Sequence, residues 1–463
     1  MDRFEAWFDG QDAFAPAATP SRPSIRFPKP GTTLLRMAAL FSAVLLATSL
    51  VGGAHRVGLL TTSGTTGVAE PSPDTTTTPP TGSGDPSPTP SVSAPPQAAV
   101  AGLLPVSECK LGPTESEWYF SAGFPIDDYS DVPTTGSLRI AVIYVEFPDA
   151  ARRSPVSELH KKIEDHVSQI YSEMSYGKLS IDLIPSSDWI MMDKPSAKYN
   201  ILQQEAKNES VVNYVSEAVR KADPGIDFSG IDVVAVFATE LANGVAGDFQ
   251  LTLPDRIPTD EGKGVFSTIV TGGDWWQELV DPMILAHEIG HVVGLQDLYN
   301  GDSGESFEDA HKFVGSFDFM SYGWSESTAP TILGWDRWRL GWIPDSQVVC
   351  ARPSEGTEVN VNALQAGMGT TLIVLPLSAT RAIVIESRRP IGWDKQLVES
   401  GALVYLVDTA VNTTEGPLQI LADTFGDGFS AAPLSAGEYV DALSYTITSL
   451  EAAAWGDRIY ITP

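Results

Sequence analysis

The sequence predicts a layered α/β (α+β) unit followed by an all-β, sandwich-like unit, with the boundary near residue 350. Two observations carry this prediction. Strand-like and helix-like patterns alternate between residues 138 and 239, which is typical of helices packed on a sheet. After residue 358 the helical spacing disappears, and short β-type runs are separated by Gly, Pro and Asn.

The folded part is expected to begin near Val106, and its patterns follow in order. Leu138–Phe147 and Ile231–Thr239 are mainly apolar, which predicts two buried strands. Pro155–Met174 and Val211–Ala222 repeat apolar residues with the period of an amphipathic helix. Strand, helix, helix and strand in this order predict the α/β layer of residues 106–350.

The second unit, residues 351–463, contains only short strand patterns. They are TTLIVLPL, RAIVIESR, ALVYLVDT, YTITSL and RIYITP, and all are rich in β-branched or aromatic residues. Several such runs at close spacing predict a β-sandwich.

Composition limits the partners of this chain. Its 463 residues include 29 Lys+Arg and 59 Asp+Glu, a formal net charge of −30. Binding to nucleic acid requires clustered cations that neutralise phosphates, so a nucleic-acid partner is excluded. An acidic surface is also unsuited to anionic lipid headgroups. The sequence carries no signal for an oligomeric state.

The N-terminal region predicts export. Residues 1–36 form a short leader, and the uncharged apolar segment 37–54 follows its cations. Segment 37–54 is either a cleaved signal peptide or an uncleaved single-pass anchor, and both place the remainder outside the cytoplasm. Residues 55–105 are rich in Thr, Pro, Ser and Gly, which predicts a disordered spacer. We therefore expect an extracellular or cell-surface protein that meets a membrane only through this segment.

The chain contains two cysteines, Cys109 and Cys350, which bracket the first unit. In an exported protein a disulfide between them is the default interpretation. The alternative is that Cys109 is a thiolate that caps a metal in a latent precursor.

The segment Asp281–Tyr299 has the spacing H-E-x-x-H within a predicted helix that ends at Gly294. His287 and His291 are four residues apart, so one helical face presents two imidazoles that can bind one cation. Glu288 lies next to this pair, where a carboxylate can act as a base on a metal-bound water.

A catalytic zinc site with two histidines needs a third protein ligand. Asp297 is the first candidate, because the chain reverses at Gly294 and returns a carboxylate three residues later. The segment Phe317–Trp324 then places Met320 in a Gly-flanked turn, with Tyr322 two residues after it.

This spacing, H-E-x-x-H-x-x-G-x-x-D followed by Met in a turn, resembles that of the metzincin zinc peptidases with Asp as third ligand. Further stretches resemble the immune-inhibitor-A-like peptidases and occur in the same order. These stretches are GSLRIAVIYVEFPDA, YSEMSYGKLSI, IDFSGIDVVAVF, TILGWDRWRLGW, IVIESRRPIGWD and GALVYLVDT. The resemblance covers about residues 106–463.

The resemblance implies a metzincin-like fold for the first unit and a bacterial zinc-dependent endopeptidase that acts on protein or peptide substrates. It implies one catalytic Zn²⁺ with the ligands His287, His291 and Asp297. Glu288 is then the general base, and Met320 lies in the turn beneath the metal. Tyr322 would contact the metal or the substrate.

Three alternatives remain open at this stage. Glu305 or Glu308 would be the third ligand in a thermolysin-like arrangement. The acidic run from Asp302 to Asp309 is interpreted as a solvated face, with a Ca²⁺ site as the alternative. A non-catalytic adhesion module on a degenerate peptidase fold is the alternative function.

The strand pattern Gly264–Val270 precedes the predicted zinc helix. We expect it to be an edge strand that pairs with the extended backbone of a substrate.

Overall fold

A computed structural model describes the chain in segments, which are called the described residues below. They are residues 94–113, 121–126, 131–202, 208–262, 264–272, 282–302, 306–321, 331–397, 399–422, 429 and 432–463. Within them, no helix combines the length and apolar character needed to cross a membrane. The apolar segment 37–54 lies outside the described residues, as do Tyr322 and Glu305.

The first half of the fold is built on a mainly parallel sheet. The strands of this half are β1 (Gly136–Glu146), β2 (Leu179–Pro185), β3 (Ile190–Met191), β4 (Ile201–Leu202), β5 (Val233–Ala238), β6 (Val245–Ala246), β7 (Asp248–Ile257) and β8 (Val265–Thr271). The sheet has the order β2-β1-β5-β8-β7, in which only β7 is antiparallel to its neighbour. Strand β3 pairs with the end of β1, and β4 pairs separately with β6.

Helices cover both faces of this sheet. The helices of the chain are α1 (Val156–Met174), α2 (Asn208–Ala222), α3 (Pro282–Val292), α4 (Phe307–Ala310) and α5 (Gly334–Arg339). Alternate residues of β1 point to opposite faces, so Ile140 packs in one core with α1 and α3, while Ile143 packs in another with α2. The predicted strands and helices of this half are confirmed to within a few residues at each end.

The second half consists of β-sheets. Its strands are β9 (Val348–Cys350), β10 (Thr357–Asn362), β11 (Leu372–Pro376), β12 (Arg381–Arg388), β13 (Gly401–Asp408), β14 (Leu418–Ile420), β15 (Tyr439–Ala442), β16 (Tyr445–Ala453) and β17 (Gly456–Thr462). One sheet has the order β14-β13-β12-β11-β9, and the other has the order β10-β17-β16-β15. The prediction of an α+β fold with an all-β second half is therefore confirmed.

The sheet that contains β12 is buried on both faces. Val384 and Tyr405 belong to the same core as α1 and α3, whereas Ile383 and Ile385 pack against the second β-sheet. This double burial explains why its strands are continuous apolar runs without alternation. Because one core contains residues from both sides of residue 350, the domain limits stay a prediction.

The two cysteines form a disulfide, as expected. Cys109 ends a short 3-10 turn and Cys350 ends β9, with a Cα–Cα distance of 5.8 Å. Both are buried, and the chain has no free cysteine, so the alternative of a Cys109 thiolate that caps a metal is wrong.

Ordered structure begins before Val106. The Asn360 side-chain amide donates to the carbonyl oxygen of Pro95, and the Leu104 N–H donates to the carbonyl oxygen of Cys350. Residues 94–105 thus lie along the second half through hydrogen bonds made by their backbone, which their Pro- and Ala-rich composition does not indicate.

The expectation of an edge strand at Gly264–Val270 is wrong. Strand β8, which contains these residues from Val265 on, pairs with β5 on one side and with β7 on the other. The edge strand on this side of the described sheet is β7, and the edge strand on the other side is β2. The almost complete burial of β8 is what an interior strand requires.

We predict that the double variant Cys109→Ser/Cys350→Ser is less stable than the wild type by about 3–5 kcal/mol, because the disulfide closes a long loop in the unfolded chain. Urea unfolding of both proteins under oxidising conditions measures the difference. Reduction of the wild type should give the same shift. An unchanged urea midpoint would show that the disulfide does not limit stability.

Candidate metal centre

Helix α3 places the two histidines of the motif in the core. It begins at Pro282, a residue suited to the first helical position, while the predicted N-cap Asp281 lies outside the described residues. His287 and Glu288 are buried, and His291 is partly buried. The helix packs in the same core as α1 and one face of the sheet. Tyr171 Oη, on α1, donates to the carbonyl oxygen of Ala286 at 2.7 Å.

The chain reverses after α3 as predicted. Gly294 has a φ of 93°, a conformation that favours glycine, and the Leu295 N–H donates to the carbonyl oxygen of Gly290 at 2.9 Å. This reversal returns Asp297 to the two histidines.

Backbone carbonyls fix the orientation of both imidazoles. His287 Nδ1 lies 3.2 Å from the carbonyl oxygen of Phe319, and His291 Nδ1 lies 2.9 Å from that of Leu295. A carbonyl oxygen can only accept, so each Nδ1 carries the proton. The Nε2 atoms are then left as the metal-binding nitrogens, and carbonyl bonding of this kind is typical of metal-bound histidine.

Asp297 brings a carboxylate oxygen to the same point. Its Oδ1 is 3.2 Å from Nε2 of His287 and 3.2 Å from Nε2 of His291. This oxygen is buried and has no hydrogen-bond donor among the described residues. The two Nε2 atoms and this carboxylate oxygen face one another, an arrangement that a proton or a metal cation between them stabilises.

The donor set and spacing fit a zinc ion. Two imidazole nitrogens and one carboxylate form a set of three protein ligands, as in catalytic zinc sites. Ligands at the usual zinc distances in a tetrahedron are separated by about 3.3 Å, close to the separations seen here. Among the described residues, His287, His291 and Asp297 form the one group of this kind.

Electrostatics also favour a cation at this position. Burial lowers the pKa of His291, but the Asp297 carboxylate, together with Glu288, raises it to about 9. Burial raises the pKa of Asp297, but the two imidazoles hold it well below its usual range. The field that favours a proton on His291 also favours a divalent cation, which displaces that proton on binding.

Glu288 is a buried carboxylate beside the three acceptors. Burial raises its pKa, the neighbouring histidines lower it, and Asp297 raises it. Its Oε2 has no hydrogen-bond donor among the described residues, while the backbone N–H of Gln250 in β7 donates to the carboxylate. Glu288 is therefore held at the edge strand with one oxygen available to exchange a proton.

The Met320 turn lies against α3. A Cβ atom added at Gly290 would be 2.5 Å from Met320 Sδ, so only glycine leaves room for this side chain. The Phe319 carbonyl orients His287, and the next carbonyl, of Met320, accepts from the N–H of Leu298, which follows Asp297. The turn thus supports the site from both the histidine side and the aspartate side.

Asp318 is a site-supporting residue that the sequence analysis missed. Its two carboxylate oxygens accept from the N–H groups of Met320 and Leu333, each at 2.8 Å. Burial, reinforced by the charge of Asp336, raises the pKa of Asp318 to about 8. The available signal was an acidic residue within the apolar sequence FDFM.

Tyr299 is a second missed residue. Its ring stacks on that of His287 with centroids 6.5 Å apart, and its hydroxyl is hydrogen-bonded to Asp297. Burial and the charge of Asp297 raise the pKa of Tyr299 well above its usual range, so it stays a donor. The predicted Tyr322 lies outside the described residues.

Glu308, one alternative third ligand, does not belong to the group of acceptors, and Glu305 lies outside the described residues. Asp309, in the acidic run, accepts from Asn300 Nδ2 and pairs with Lys312. The described part of this run does not form a second metal-binding group.

Known proteins show only a weak similarity to this chain. No family model and no curated protein matches the chain. The crystal structure of metalloproteinase-II from Bacteroides fragilis is similar with a TM-score of 0.23 and 16% sequence identity, over 50% of this chain and 58% of that chain. Membership of the immune-inhibitor-A-like peptidases therefore stays a prediction.

We predict that Gly290→Ala destabilises the protein by about 1–3 kcal/mol, because the added methyl group overlaps Met320 in a packed core. An alanine in a helix is otherwise more favourable than glycine by about 1 kcal/mol, so the sign of the change is diagnostic. Urea unfolding measures it. Gly225→Ala, where an added Cβ meets nothing within 4 Å, is the control. A stabilised Gly290→Ala protein would contradict the tight fit of the Met320 turn.

Proposed function

We propose that this chain is an exported, zinc-dependent endopeptidase. The observation that carries the proposal is the convergence of His287 Nε2, His291 Nε2 and Asp297 Oδ1 on one point beside the buried Glu288. Two histidines and a carboxylate leave one coordination position open for water or substrate. The proposal of export depends on the N-terminal sequence, residues 1–105.

The chemistry divides between a metal and Glu288. When zinc is bound by the three ligands, it supplies Lewis acidity that acidifies a water molecule and polarises a carbonyl group. Glu288 accepts the proton of the attacking water at Oε2, and the same oxygen returns it to the leaving amine. No covalent intermediate with the protein is required.

A peptide substrate is supported by the position of β7. This strand is one of the two edge strands of the described sheet, and the N–H of Gln250 within it donates to Glu288. An edge strand offers backbone groups to which an extended peptide can add. A peptide aligned along β7 would therefore pass beside the proposed base.

A non-catalytic binding module is the competing function. The two all-β sheets would provide its binding surface, and the metal centre would be structural. This alternative leaves the buried Glu288, with its available Oε2, without a role.

We predict that Glu288→Gln lowers casein hydrolysis by about 10²–10⁴-fold, because the amide cannot accept the proton of water. Zinc content should not change, since Glu288 is not a proposed ligand. The exposed Glu355, changed to Gln, is the control and should keep full activity. Equal inactivity of wild type and Glu288→Gln, with zinc bound in both, would favour the binding module. Equal activity would refute the role of Glu288.

We predict that the purified protein holds about one zinc per chain and that His287→Ala loses it. Metal analysis after dialysis measures the content, and a chelator should abolish casein hydrolysis. An acidic protein also collects divalent ions loosely, so a histidine control is needed. His166→Ala, on α1, should keep its zinc. Retention of zinc by His287→Ala would place the metal elsewhere.

A further inference from the structure

The loop between β13 and β14, residues 409–417, lies against the segment that carries Asp297. The Asp297 N–H donates to Oγ1 of Thr413 at 3.0 Å, and the Thr414 N–H donates to the carbonyl oxygen of Asp297 at 3.1 Å. Both backbone polar groups of the third proposed ligand are therefore bonded to residues more than a hundred positions later in the chain.

The same loop also holds the end of this segment. The Gly301 N–H donates to the carbonyl oxygen of Thr414 at 3.0 Å, and a Cβ atom added at Gly301 would lie 2.6 Å from Thr414 Oγ1. The loop and the segment 297–301 thus approach too closely for any other side chain at Gly301. Such close contact leaves Asp297 little freedom to move.

Thr414 has a strained backbone. Its φ is 63°, a conformation that is rare for a β-branched residue. Strain of this kind persists where the surrounding structure determines the conformation, and it concentrates at functional sites. Here the strained residue is the one whose N–H and carbonyl bond to both Asp297 and Gly301.

The base of the loop is anchored on three sides. The Asp408 N–H donates to the carbonyl oxygen of Pro417 at 2.8 Å, which closes the hairpin. Thr409 Oγ1 donates to the carbonyl oxygen of Gly112, and the Ile420 N–H donates to that of Phe313. The loop is therefore a fixed support rather than a free surface turn.

Asp297 needs such a support more than the histidines do. His287 and His291 are carried by a helix and oriented by carbonyl groups, whereas Asp297 lies outside any helix or strand. We propose that Thr413 is a positioning residue for the third metal ligand, so that the C-terminal half completes the metal centre. This inference rests on the proposed function.

The test measures zinc affinity in the full chain with the variants Thr413→Val, Thr413→Ser and Thr446→Val. Valine has the shape of threonine but cannot accept from the Asp297 N–H, whereas serine can. Thr446 is the control, because its hydroxyl bonds Asp441 in the other β-sheet. Competition with a chromophoric chelator gives the affinity, and the visible spectrum of the cobalt-substituted protein reports the ligand geometry.

We expect Thr413→Val to bind zinc about 10–100-fold more weakly, as for other residues that orient metal ligands, and to change the cobalt spectrum. Thr413→Ser should restore both, and Thr446→Val should match the wild type. Wild-type affinity and an unchanged spectrum in Thr413→Val would overturn the inference while leaving the proposed function intact. A wild type that binds no zinc would overturn both.

Hydrogen exchange in the wild type covers the case in which Thr413→Val does not fold. If the loop and Asp297 are coupled, zinc binding protects residues 409–417 as well as residues 287–297. Residues 443–455, in the other β-sheet, should not change. Protection of residues 287–297 alone would also overturn the inference.

Discussion

The Asp297 carboxylate lies 3.2 Å from Nε2 of both His287 and His291, and a positive charge at this point stabilises the arrangement. Each acceptor is held by a different part of the chain. His287 is oriented by the Met320 turn, His291 by the reversal after α3, and Asp297 by the β13–β14 loop. The candidate metal centre therefore depends on three separate parts of the fold.

The two halves meet around a network of buried charges. Arg388 pairs with Glu386 at 3.1 Å and with Asp394 at 3.0 Å, and all three side chains are inaccessible to solvent. Glu386 also accepts from the Gly334 N–H and from the Tyr405 hydroxyl. Buried networks of this kind add little net stability but tolerate only one arrangement of their members. They join α5 of the first half to β12 and β13 of the second half.

Much of the fold and the centre of the site could be predicted from sequence, because those signals are local. The spacing of His287 and His291 defines one helical face, and apolar runs define the buried strands. Contacts between distant segments could not be predicted in this way. Thr413 bonds a backbone N–H 116 residues earlier in the chain, and a threonine in a loop does not indicate such a partner. The position of β8 inside the sheet was missed for the same reason, since the residue pattern of a strand does not show which strands pair with it.

The separation of Asp297 from Thr413 has a consequence for the order of assembly. The H-E-x-x-H helix and Asp297 are synthesised before Thr413, whose hydroxyl accepts from the Asp297 N–H and lies 116 residues after it. Until Thr413 is synthesised, Asp297 lacks this hydrogen bond. Cys109 likewise has no disulfide partner until Cys350, 241 residues later, has been synthesised. An incomplete chain thus carries the reactive groups without their final geometry. The candidate metal centre is therefore expected to reach its final geometry only after the chain has been synthesised beyond residue 413.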